Sequence, residues 1–165
     1  MDKYRLKYME RNPDSSKIRN EDECLLLSEK HGVVQITRRQ INTPVSGMPP
    51  RDIEERNSDK TKYIWVIRND SLPMILEKSK AVEFLESRRA THTNLTGCEK
   101  AYCGGEVWFQ SGKDIYISGA SGRYTPRSSE ELDDICEVFK LLGFNILRCL
   151  GWDSDLKMPH RILRG

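Results

Sequence analysis

The sequence predicts a single α+β domain, residues 1–165, built on a mainly antiparallel sheet with one clear helix in its C-terminal half. Three observations carry this reading. "YIWVI" (63–67) is β-branched or aromatic throughout. "EVWF" (106–109) and "DIYIS" (114–118) alternate with a period of two around the turn "QSGK". Residues 129–142 repeat Leu132, Ile135, Cys136, Phe139 and Leu142 at helical spacing. A chain of 165 residues is long enough for one core of ordinary size.

Taken in order, "KYRLKYM" (3–9) alternates polar and apolar residues weakly, and "CLLLSEKHGVVQIT" (24–37) reads as two short strands around a turn near Gly32. Residues 42–60 hold three prolines, a glycine and a dense run of charge without an apolar stripe, which predicts a long mobile loop. The continuous apolar run 63–67 predicts a central strand covered on both faces. "SKAVEFLESRR" (79–89) suits a second short helix started by Ser79, with a strand as the alternative. In the hairpin, Val107, Phe109, Ile115 and Ile117 share one face, and Glu106, Trp108, Asp114, Tyr116 and Ser118 the other. Ser128 with Glu131 forms a capping box for the clear helix, Gly143 ends it, and "FNILRCL" (144–150) returns to the sheet as a strand.

Composition excludes several function classes. Twenty-seven basic against 25 acidic residues leave a net charge of +2, so no chain-wide field draws the protein to nucleic acid or an anionic membrane. Local patches remain open to nucleic acid: the basic tail, with Lys157, His160, Arg161 and Arg164, offers phosphate contacts, although four positive groups there more often make a solvated end. No stretch reaches the roughly 18 apolar residues a bilayer span needs, and the start lacks an apolar core of signal-peptide length. A cytoplasmic protein without a membrane partner is therefore expected. The five scattered cysteines are expected as free thiols, and Cys98, Cys103 and His92 lack the paired spacing of a metal site, so no metal is expected.

The chemistry concentrates in "RRATHTNLTGCEKAYCGGEVWFQSGKDIYISGASGRYTP". Packing does not require the polar hairpin face to open with Gly104-Gly105-Glu106 and run into Ser121-Gly122-Arg123-Tyr124. Glycines let a backbone approach a ligand, and serine hydroxyls with free N–H groups suit an anion or a ribose. Arg123 would clamp a phosphate bidentately beside Ser121 and Gly122, and Tyr124 or Trp108 would stack a ring. Glu106 would act as a general base or hold a ribose hydroxyl, with His92 as the nearest histidine in sequence. Asn94 and Thr96 add hydrogen-bonding groups, although both also suit local turns. The bland alternative gives the glycines to turns and joins Arg123 to Glu106 as an ion pair.

The run His92…Leu95-Thr96-Gly97…Ala101…Gly104-Gly105-Glu106-Val107…Ile117…Ser121-Gly122-Arg123-Tyr124…Pro126 resembles C-terminal effector domains of bacterial polymorphic toxins, which carry a histidine, a "GE" and an "SGHY…P" in this order before a helix. The resemblance implies a toxin-effector-like transferase, of ADP-ribosyltransferase or nucleotide-modifying type, with NAD or another nucleotide as its ligand. Arg123 stands where the pattern has histidine; proton transfer at that position would be lost and phosphate binding kept. The competing class is a non-enzymatic immunity or inhibitor-type protein that covers a protein partner with 42–60 or the hairpin surface.

Overall fold

The computed structural model describes residues 1–36 and 44–164. Its helices are α1 (Asp2–Lys7), α2 (Ile53–Ser58) and α3 (Ser129–Leu141). Six strands make the main sheet: β1 (Val34–Gln35), β2 (Tyr63–Ile67), β3 (Pro73–Leu76), β4 (Cys103–Phe109), β5 (Asp114–Ser118) and β6 (Asn145–Cys149), in the order β1-β3-β2-β4-β5-β6. A separate ribbon pairs β7 (Trp152–Asp153) with β8 (Met158–Pro159). The protein is a single α+β domain. Every junction in the main sheet is antiparallel except β5 with β6, which run parallel because α3 carries the chain back across the sheet between them.

The apolar run of β2 is buried on both sides, as its composition predicts. Trp65 and Ile67 pack with Val107, Phe109, Ile115 and Ile117 under the α3 residues Ile135, Val138 and Phe139. On the opposite face Ile64, Val66 and Ile75 pack against Val82, Leu85, Ala90, Leu95 and Tyr124. That second layer is irregular. The expected helix over 79–89 is a single 3-10 turn at Lys80–Val82, with only Val82 of its three residues buried, and the chain soon continues to a second turn, His92–Leu95.

Ser128 caps α3 by accepting from Glu131 N at 3.0 Å, and Gly143 ends it at φ +98°. Glu131 is fully buried, where it accepts from Arg11 at 2.6 Å, Tyr4 at 2.8 Å and Arg127 N at 2.7 Å. Tyr4 lies on α1, so the weakly alternating start of the chain is helical, anchored by that one buried ring.

The 24–37 segment forms 3-10 turns and the two-residue β1 instead of a hairpin, turning at Gly32 with φ +100°; Thr37 lies outside the described residues. Within the expected loop, positions 42 and 43 also lie outside them, while 53–58 form α2. The free-thiol expectation is corrected at two positions: Cys24 and Cys98 form a disulfide, because the turn Glu21–Cys24 packs on the turn after His92 and brings their Cα atoms to 4.9 Å. Cys103, Cys136 and Cys149 are free. Among the described residues no helix is long and apolar enough to cross a membrane.

Candidate functional site

A cavity of about 390 Å³ opens on the sheet face opposite α3. Its floor follows from strand register: Ile64 on β2 stands beside Glu106 on β4, which stands beside Ser118 on β5. Glu106 is only 2% exposed, yet it is thoroughly paired. Its Oε1 accepts from Arg56 at 3.1 Å and Ser118 Oγ at 3.0 Å, and its Oε2 from Arg56 at 2.8 Å and Lys62 at 2.9 Å. Lys62 reaches on to Glu77 at 3.1 Å. Burial alone would raise the Glu106 pKa, but Lys62 and Arg56 overcome that cost and hold it at about 2. The carboxylate is ionised at neutral pH and its four lone-pair directions are filled, so it organises two cations and is not a free base.

His92 stands above this floor and donates from Nε2 to the Gly105 carbonyl at 2.8 Å. Burial lowers its pKa to about 4, so the ring is neutral at pH 7 and Nδ1 keeps its lone pair. Gly104 makes room for it, and Gly105 makes room for Trp65 on the other face of the sheet. A Cβ on Gly104 would sit 2.7 Å from the His92 ring, and one on Gly105 would sit 2.3 Å from the indole of Trp65 and 2.2 Å from the Ser118 carbonyl. Close packing under His92 therefore explains Gly104, and close packing on Trp65 explains Gly105.

The walls are cationic. Lys17, Arg19, Arg56, Lys62, Lys78, Arg89, Arg123 and Arg161 line the cavity against two carboxylates, Glu77 and Glu106. Eight cations against two carboxylates, in a chain whose net charge is +2, concentrate positive charge at this cavity. Arg56 and Lys62 are engaged by the floor and Lys78 donates to Asn57 O at 2.8 Å. Lys17, Arg19, Arg89 and Arg161 are exposed, and among the described residues they bond to side chains only through backbone atoms, which leaves their charged ends open.

Of the residues predicted for the site, Glu106, His92, Ser121, Gly122 and Arg123 line this cavity. Arg123 is paired with Glu23, by Nε at 3.0 Å and by a second contact, and donates to Lys17 O at 3.0 Å. The ion pair expected between Arg123 and Glu106 is thus replaced by two separate ones. Asn94, Thr96, Trp108 and Tyr124 lie outside the cavity. Tyr124 is fully buried and bonds to Thr96 Oγ1 and Glu99 O, both at 2.6 Å, so its ring is core and not a stacking surface. Trp108 is likewise buried, with Nε1 on Asp59 at 2.7 Å. Asn94 accepts from Thr91 N at 2.9 Å and donates to Asp22 O and Leu25 O at 2.8 and 2.9 Å, which fastens the 20–25 segment to the 92–95 turn.

Sequence reasoning missed Arg56 and the open rim. Arg56 arrives on α2, whose start is marked by Asp52 and Glu55: Asp52 accepts from Glu55 N at 2.8 Å, and Glu55 accepts from Arg51 N at 2.8 Å. That spacing, Asp followed three residues later by Glu, is a helix-start signal inside the charged run. Nothing local marks Lys17, Arg19 or Arg89, and Arg161 is marked only as part of the basic tail, because separate segments of the chain bring the four together. No protein-family model, no curated protein and no solved structure matches this chain.

Proposed function

We propose that the cavity binds a phosphate-bearing ligand of nucleotide or NAD type, and that the domain is an effector-like transferase acting on it. The observation that carries the reading is the set of eight cations around the cavity, four of them with open charged ends. Cations held over a partly closed cavity favour a multiply charged ligand far more than the same charges on open surface. A volume of about 390 Å³ falls within the range of small-ligand sites. The transferase part rests on the resemblance, whose histidine, "GE" and "SG" positions, here His92, Gly105-Glu106 and Ser121-Gly122, meet at this one cavity.

The test is a thermal-shift and calorimetric titration with NAD, ADP-ribose, ATP and GTP, since a ligand that binds the folded state raises Tm by mass action. Stabilisation by at least one of them, lost in Arg89→Ala, is expected. If no phosphate compound stabilises the protein, the reading is wrong and a search for a protein partner of the immunity type takes its place.

A further inference from the structure

Resting on the proposed phosphate site, we infer that the cavity takes the phosphate and sugar part of its ligand and leaves the base outside, so that bases are not distinguished. The inventory of donors and acceptors supports this. Apart from the two carboxylates, what the charged lining offers is donors: the open ends of the rim cations, the N–H groups of Arg56 left over from Glu106 and Arg161 O, and the third proton of Lys62. Glu106 already receives four donors, and a ligand hydroxyl would have to displace one to reach it. A site that donates almost everywhere selects a partner that only accepts, and a diphosphate or triphosphate does so with several negative charges.

A nucleobase needs two things this cavity lacks. The first is a flat apolar surface: among the described residues no tyrosine, tryptophan or phenylalanine lines it, and its apolar lining is Ile64, Ala90 and Ala120. Among the rings nearest the lining in sequence, Trp65, Trp108 and Tyr124 are fully buried, and Tyr63 packs against the core on the α3 side of the sheet. The second is a fixed array of donors and acceptors to read a base edge, and toward it the neutral lining offers only the exposed Asn57 amide and the single free lone pair of His92 Nδ1. The side-chain oxygen of Thr91 is bonded within its own turn, that of Ser121 accepts from Tyr124 N, and the rim cations sit on flexible stems.

Calorimetric titration of the wild-type chain with ADP, GDP, CDP, UDP, inorganic tripolyphosphate and adenosine tests the inference. The four diphosphates should bind within about threefold of one another, adenosine should not bind, and added KCl should weaken all four alike. Tripolyphosphate equal to the nucleotides would identify a free polyphosphate as sufficient; a uniform advantage of the nucleotides would identify the sugar as the added contact. Both support the inference. A tenfold preference for one base, or binding of adenosine, overturns it while leaving the phosphate site standing. Failure of every phosphate compound overturns the site itself.

Discussion

Replacing Glu106 with Gln keeps the shape of the floor and removes one charge. The ordinary glutamate value of 4.5 falls to about 2 in the fold, because Lys62 and Arg56 together outweigh the cost of burial. A tenfold change in acidity is worth about 1.4 kcal/mol, so the fold favours the ionised form by about 3 kcal/mol at neutral pH. The Gln variant leaves Arg56 and half of the Lys62 pairing without a counter-charge, and should lose stability of that order. For a chain of this length the loss is a fall in Tm of about 6–12 °C. The sign of the pH dependence follows from the lowered pKa. The stabilisation is complete above 4.5 and disappears as pH falls from 4.5 to about 2, so urea midpoints of the wild type should drop across that window while the variant, already lower, stays flatter. Equal Tm within about 2 °C, together with the same acid slope in both proteins, would refute the claim that the floor is an ion-pair network.

Other outcomes are equally specific. His92, buried and lowered to about 4, stays neutral in the fold while the unfolded chain takes up a proton near 6.5, so stability should fall by about 2 kcal/mol between pH 7.5 and 5. The His92→Gln variant should lose that dependence in chemical denaturation. Tyr124→Phe should cost about 1–2 kcal/mol through its lost bonds to Thr96 and Glu99 O and leave nucleotide affinity unchanged, whereas weaker binding would return the ring to the site. Reducing Cys24–Cys98, which spans a sequence separation of 74, should remove about 4 kcal/mol, and thiol titration of the denatured chain should rise from three groups to five.

Much of the fold was legible because local pattern and burial agree. β2 is apolar throughout and buried on both faces, and the β4–β5 hairpin shows its two-residue period with Val107, Phe109, Ile115 and Ile117 under α3. α3 carries both its cap and its apolar stripe. Elements that lean on a single buried side chain or none were not legible: α1 buries Tyr4 alone, and α2 buries no residue and is fixed through Arg56. Over 79–89 the apolar spacing resembles a helix, but Val82 and Leu85 serve a layer of turns laid across the sheet. The site was half legible for a related reason. Glu106, His92 and the Ser121–Arg123 stretch lie near one another along the chain, whereas Arg19, Arg56, Arg89 and Arg161 become neighbours only through the fold, and each reads locally as a solvated charge. Tyr124 and Trp108 illustrate the opposite error, aromatic rings with polar handles that sequence assigns to a ligand and the core claims through Thr96 and Asp59.

The attachment of residues 4–14 bears on the order in which the fold closes. Tyr4 and Arg11 both wait for Glu131, the main chain of Arg11 pairs with Ala101, and Asp14 N bonds to Arg123 O. Tyr4 and Arg11 lie 127 and 120 residues before Glu131, so this segment is held by contacts of long sequence range. Cys103, the other group the Tyr4 hydroxyl binds, lies 99 residues on. Such long-range closure is slow, and it puts the docking of residues 4–14 beside α3 late in folding.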